Sequence, residues 1–536
     1  MESNLLVILA LLFAISMLCM VASKLRVSYP IFLVIAGLVI SLIPKIPQIT
    51  LDPNIVFTLF LPPLLYAAAW NTSWNDFWFF RRPISLLAFG LVIFTATTVA
   101  YVSHALIPDF TLAMGFLLGG IISPPDAVAA TSVLQGLKVP KRIVTILEGE
   151  SLINDASSLI VFRFALFQLV TGQFMLGTAT VQFFTVAIMG IAIGAIIANI
   201  VYVIHRFLPT TPAVDTAITI ISPYLMYLTA EHFHFSGVLA VVTGGLILSF
   251  HSHKIFTYNT RLQTYSVWNT LVFMLNGFVF ILIGLQLPHI VKGLGQYALT
   301  DAIFYAVIIS LVTIVIRIIW VYPAAYVPRL LSAGIRRREP NPGWRGVFIV
   351  AWSGMRGVVS LASALAVPTV LANDTQFPHR NLILFITFVV ILFTLVLQGL
   401  SLPWIIRLLR ITSIDDHSKQ DQEMRLRMAT ATLEFINKEY SEESDSIDAF
   451  TRVRDRYARM IENINQKLAE EDGDKNATDN FLPKYRKMLQ EVVSVRRTEL
   501  TKMRHERKFA EELFREKELE LDLEEARLGK FLRNNQ

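Results

Sequence analysis

Thirteen apolar runs follow one another between residues 5 and 410, and they limit the fold more than any other feature of the chain. A hydrocarbon layer of about 30 Å takes roughly 20 helical residues at 1.5 Å each. The runs centre near residues 13, 36, 62, 94, 121, 156, 190, 221, 242, 278, 312, 358 and 395, the second and ninth being short. They predict an all-α polytopic membrane protein of about 13 transmembrane helices. The first run, Leu5 to Val21, has no basic segment before it and no small-residue cleavage site, so it reads as a retained span rather than a secretion signal.

Charge supports this division. Hydrophobic residues make up 54% of the chain and charged residues 16%, too apolar for half-exposed soluble helices. Residues 1–410 carry a formal +10 and residues 411–536 a formal −4, which predicts a membrane domain over 1–410 and a charged helical cytoplasmic tail over 411–536. The run Thr501 to Leu532, rich in Glu, Lys, Arg and Leu, reads as solvated helix or loose coiled coil. The basic pI is therefore no sign of nucleic acid, and no nucleic-acid partner is expected. Cys19 is the only cysteine, which excludes an internal disulfide or a cysteine metal site. Sequons at Asn71, Asn373 and Asn476 read as chance, and most of the ten histidines, including His232/His234 and His251/His253, fall at span ends or in loops.

Basic residues are retained on the cytoplasmic side of a membrane. Loops after every odd-numbered span are basic, from Lys24/Arg26 through Arg329, Arg336, Arg337, Arg338 and Arg345 to Arg407/Arg410, whereas the other loops hold only Lys45, Lys292 and Arg380. The expected orientation in the cell membrane has the N-terminus outside and the tail inside.

Three basic residues, Arg163, Arg317 and Arg356, remain within spans, with four acidic ones, Asp126, Glu150, Asp155 and Glu231, in or near the membrane. Each costs a few kcal/mol at that depth and needs a partner, a cavity or a function. In the sixth span, Ser151 and Asp155 stand one turn apart, as do Glu150 and Asn154, so four polar groups adjoin on the helix. In the fifth, Ser123-Pro124-Pro125-Asp126 removes two backbone donors in succession and must break the helix. In the twelfth, Arg356 lies between Gly354 and Gly357 with Met355, which favours a second break. Paired broken helices at the fifth position of two six-span halves suggest inverted repeats around a transport site. Arg356 requires an anion, and Glu150 is the expected partner because that choice leaves Asp155 unpaired. Arg163 and Glu231 are a second candidate pair; Arg317 has no evident one.

With Ser-Pro-Pro-Asp at 123–126, Glu-Gly-Glu-Ser-Leu-Ile-Asn-Asp at 148–155 and Trp-Ser-Gly-Met-Arg-Gly at 352–357, the chain resembles sodium/proton exchangers of the monovalent cation/proton antiporter-1 family over residues 5–410. The resemblance implies that Asp155 carries the ion, that Asn154 steadies it, that Ser151 and Asp126 line the site, and that Glu150 and Arg356 form a structural ion pair. Na⁺ would lie at Asp155, Asp126 and Ser151. Many relatives have threonine where this chain has Pro125, so Ser123 or a backbone carbonyl is expected to supply the missing ligand. A homodimer and electroneutral exchange are also implied.

The resulting expectation is a membrane antiporter, with no enzyme activity and no cofactor, in which Na⁺ and H⁺ compete for Asp155 during alternating access. Its monovalent-cation substrate could instead be K⁺, since oxygen ligands alone do not set ion size. An intramembrane protease is disfavoured because neither Gly-x-Gly-Asp nor Gly-x-Ser-Gly occurs. A non-transporting receptor or scaffold would give no reason to hold Asp126, Glu150, Asp155 and Arg356 at depth.

Overall fold

The computed structural model describes residues 2–25, 27–43, 56–134, 137, 139–171, 176–295, 297–339, 341–370, 376–411, 417–441, 447–470, 482–505, 517 and 521–525. Among them the secondary structure is helical apart from one isolated bridge between Val370 and Gln376. The chain divides into two compact units, Met1–Ile414 and Asp415–Gln536.

Helices in the first unit are α1 (Glu2–Leu25), α2 (Tyr29–Ser41), α3 (Leu61–Asn71), α4 (Val92–Leu106), α5 (Leu112–Ile122), α6 (Ala127–Leu134), α7 (Lys141–Thr171), α8 (Leu176–Phe207), α9 (Pro212–His232), α10 (Gly237–Ile255), α11 (Tyr258–Leu285), α12 (Leu299–Leu331), α13 (Trp344–Trp352), α14 (Val358–Leu365), α15 (Arg380–Phe393) and α16 (Gly399–Leu408), with shorter pieces between some of them. Helical segments occupy all thirteen predicted centres, and ten described helical segments are long and apolar enough to cross a membrane. Shorter pieces stand at the second, third and twelfth centres: 13 residues in α2, 11 in α3, and 9 and 8 in α13 and α14.

Both expected breaks are present. α5 stops at Ile122 and α6 resumes at Ala127, across the two prolines that lack the N–H a helix needs. α13 stops at Trp352 and α14 resumes at Val358. Caps start several other helices: Thr111, Thr211, Ser236 and Thr257 each accept an N–H from the first turn that follows.

Apolar side chains form two separate cores. The larger joins α2, α5, α12, α15 and parts of α4, α11, α13 and α14; the smaller joins α3, α9 and α10 with part of α8. α7 serves both, giving Leu147, Phe162 and Ala165 to the first and Leu152 and Ala156 to the second. The helix that carries Asp155 therefore lies along the seam between two packed bodies.

The second unit contains α17 (His417–Glu439), α18 (Asp448–Glu470) and α19 (Leu482–His505). α17 and α18 pack together, with Tyr440 between the rings of Phe435 and Phe450 at 5.9 and 5.8 Å. Most of the run from Thr501 to Leu532, and the sequons at Asn373 and Asn476, lie outside the described residues.

Candidate functional site

The two breaks meet. The Asp126 N–H donates to the Met355 carbonyl at 2.7 Å, tying the interruption after α5 to the one after α13. Gly357 is required at this contact, because a β-carbon there would overlap the Asp126 carboxylate. Asp126 Oδ1 accepts the Val128 N–H at 2.8 Å, and Ser151 Oγ accepts the Ala127 N–H at 3.3 Å, so two α6 donors left open by the break are satisfied by site residues. Asn154 Nδ2 donates to the Pro125 carbonyl at 3.0 Å from α7.

Asp126, Ser151 and Asp155 line a cavity of about 80 Å³, together with Pro124, Pro125, Gly357 and apolar residues of α3. That is room for a cation with a few waters. Asp155 is 7% exposed, and the charge that bears on it is the like charge of Asp126. No Lys or Arg is salt-bridged to Asp155 or Asp126 among the described residues. Asp155 is buried and Asp126 half-buried, and with no described basic side chain paired to either, the two carboxylates are neutralised by protons or by an ion that enters.

The remaining candidates stand around the cavity. Asn154 braces the break from α7 and is not in the lining, and its Oδ1 is buried without a partner. Ser123 donates to the Gly120 carbonyl at 3.3 Å and also stands outside the lining, so the expected substitute for the missing threonine ligand is turned into α5. Asn276 of α11, which sequence reasoning passed over, does line the cavity and is 3% exposed. Its signal was an amide inside the tenth apolar run, the same kind of clue that singled out Asn154.

The expected Glu150–Arg356 ion pair is corrected. Glu150 is held by Arg317 of α12, through Nη1–Oε1 at 2.5 Å and Nη2–Oε2 at 2.8 Å, and all of it is buried. Arg317 also donates to the Val350 carbonyl from Nη2 at 3.1 Å. Gly354 makes this possible, since a β-carbon there would lie 2.6 Å from Arg317 Nε. Arg356 instead donates from Nε to the Ile122 carbonyl and from Nη1 to the Gly354 carbonyl, both at 2.6 Å. It thus places positive charge at the open C-terminus of α5, where helix carbonyls have no partner of their own. The suggested Arg163–Glu231 pair is present at 2.7 Å, and Glu231 Oε1 also accepts the Gly237 N–H at 3.2 Å.

Asp215 is a buried acid that the sequence analysis did not single out. His205 Nδ1 lies 2.7 Å from its Oδ1, and Thr260 donates to Oδ2 at 3.1 Å, joining α8, α9 and α11.

A multi-pass helical membrane protein whose two broken helices meet beside a buried aspartate has the architecture of an ion-coupled secondary transporter. Comparison with known proteins makes the class specific. The transmembrane sodium/hydrogen exchanger family matches residues 7–408. An uncharacterised Na⁺/H⁺ exchanger of Mycobacterium bovis is 30% identical over 532 residues, covering 98% of this chain and 96% of that protein. A sodium, potassium, lithium and rubidium/H⁺ antiporter of Bacillus pumilus is 35% identical over 383 residues, covering 70% of this chain and 57% of that protein. The sodium proton antiporter MjNhaP1 of Methanocaldococcus jannaschii has a similar fold, with a TM-score of 0.60 at 18% identity over 74% of this chain and 100% of that one. The chain belongs to the sodium/hydrogen exchanger family, and is a cation/proton antiporter of the membrane.

Proposed function

We propose that this antiporter exchanges Na⁺ for H⁺ by alternating access, with both ions competing for the Asp155 carboxylate. The observation that supports this most is the contrast in α7: Glu150 has a permanent guanidinium partner, whereas Asp155 faces a cavity shared with Asp126. Dehydrating an ionised carboxylate is costly, so the site crosses the membrane readily when it carries a proton or a cation and rarely when empty. That restriction couples the two fluxes. Asp155 is the essential ligand in this reading, Asp126 and Ser151 add oxygens, and Asn276 extends the set; Asn154 and Ser123 act through the backbone of the break. The seam between the two apolar cores is where the cavity changes sides.

K⁺ is a second reading, favoured by the Bacillus pumilus relative, whose name includes potassium. The basic loops support an external N-terminus and a cytoplasmic tail, and the homodimer and electroneutral stoichiometry implied by the family belong to the same proposal. The test is collapse of a pH gradient in proteoliposomes on adding Na⁺ or K⁺. Na⁺ is expected to collapse it in the wild type and to leave it intact in Asp155→Asn. Exchange retained in that variant overturns the assignment.

A further inference from the structure

Serines inside helices commonly return their hydroxyl to a carbonyl one turn back. Ser157, Ser158, Ser222 and Ser310 all do so, onto Ile153, Asp155, Ile218 and Ala306. Ser360 does not. It is the third residue of α14, and the positions three and four before it, Gly357 and Arg356, lie in the unwound segment between α13 and α14. The residue is 1% exposed, and its Oγ is buried without a hydrogen-bond partner among the described residues. A buried hydroxyl left unpaired destabilises a fold, and an alanine at the same place would avoid that cost. The oxygen therefore needs a reason to be there.

Its place in the fold supplies one. Ser360 belongs to the wall of the cavity of about 80 Å³ that Asp126, Ser151 and Asp155 also line. The hydroxyls of Thr95, Ser353 and Thr387 are likewise buried and unpaired, but none of those residues lines this cavity. Gly357 approaches Asp126 so closely that a β-carbon would overlap Oδ2, and Ser360 stands one helical turn further along α14. Of the other oxygens in the wall, Ser151 Oγ already accepts the Ala127 N–H and Asp126 Oδ1 the Val128 N–H. The Ser360 oxygen has both lone pairs uncommitted. A monovalent cation that sheds its water asks for several oxygens at once. We propose that Ser360 Oγ is a further ligand of the transported cation, so that each broken helix contributes an oxygen: Asp126 from the first and Ser360 from the second. The proposal rests on the exchange reading given above. Ion binding then draws α14 toward α6 and α7, and it relieves the cost of the unpaired hydroxyl.

The test uses the purified full-length chain in Na⁺-free detergent buffer and reads its thermal midpoint by tryptophan fluorescence as NaCl replaces choline chloride at constant ionic strength. The wild-type midpoint should rise saturably with Na⁺. Ser360→Ala should need about tenfold more Na⁺ for half of that rise. Its midpoint without Na⁺ should equal or exceed that of the wild type, because no protein group loses a partner. Ser360→Cys stays close to the shape of serine but offers a soft sulfur in place of a hard oxygen, so it should resemble the alanine variant, whereas a packing role would leave it like the wild type. In proteoliposomes the KM for Na⁺ should rise by a similar factor in both variants with the maximal rate little changed. Asp155→Asn separates the two levels of the account. A Na⁺ response lost in Asp155→Asn but unchanged in Ser360→Ala overturns the Ser360 assignment and leaves the exchange reading standing; a full response in Asp155→Asn overturns both. The Ser360 assignment also fails if the wild type does not respond to Na⁺, if Ser360→Cys binds Na⁺ like the wild type, or if Ser360→Ala has a lower midpoint in the absence of Na⁺.

Discussion

Glu150 and Asp155 lie five residues apart on α7 and are both buried, yet one is locked and the other is open. Glu150 receives two hydrogen bonds from Arg317, whose guanidinium is in turn anchored to the Val350 carbonyl. Asp155 has a cavity and a like-charged neighbour. The same chemical group in one helix is thereby divided into an anion with a fixed partner and one without, and the second is the one proposed to exchange ions. The lesson is that burial alone does not single out a carboxylate for exchange; the absence of a fixed countercharge is what separates Asp155 from Glu150 in the proposed function.

The comparison is open to direct attack by mutation. Its largest expected effect is at Asp155. Asp155→Asn should lower Na⁺-driven proton flux in proteoliposomes to the level of empty vesicles while leaving the thermal midpoint at or above that of the wild type, because a buried charge is removed. Glu150→Gln should do the reverse. It strands the Arg317 guanidinium and should cost about 3–5 kcal/mol of stability, seen as a lower denaturation midpoint, with Arg317→Gln giving a similar loss and the double variant less than the sum.

Smaller effects are expected where pairs meet water or the bilayer surface. The Arg82 guanidinium beside Glu339 holds its carboxyl below the usual range. A depressed pKa means that this pair stabilises the fold above the ordinary value near 4.5 and ceases to do so as pH falls through the folded-state value. Glu339→Gln should therefore have a lower thermal midpoint than the wild type at neutral pH, and the gap should close on acidification below about pH 4.5. At the bottom of the scale is Arg163–Glu231, whose side chains are 45% and 28% exposed. A double-mutant cycle on that pair should give about 0–1 kcal/mol, and a coupling as large as that at Glu150 would erase the distinction between locked and surface pairs.

Much of this arrangement was legible in the sequence because its signals are local. Pro124 and Pro125 break a helix whatever packs around them, and the turn-spaced Ser151 and Asp155 share a helix face by geometry alone. Those residues do come together around one cavity. What was not legible depends on which helices become neighbours. Choosing Arg356 for Glu150 ignored that a carbonyl end of α5 would need a cation, and that Arg317, 167 positions away from Glu150, would reach it through the gap that Gly354 leaves. Ser123 was expected at the ion because its hydroxyl lay next to the break, but it bonds back to Gly120 as serines in helices commonly do. Asn276 and the Asp215–His205 contact were missed for a related reason, since hydropathy does not say what an amide within a span or an acid at the start of one will face.

The central claim is that a cation and a proton displace one another at Asp155. It is tested most directly by proton release on adding Na⁺ to the purified protein in weakly buffered detergent, measured with a pH indicator in wild type and Asp155→Asn. The account predicts a saturable release by the wild type that shrinks as the starting pH rises and the site empties of protons, and none by the variant. Equal release by both proteins would place the competition at some other group and contradict it.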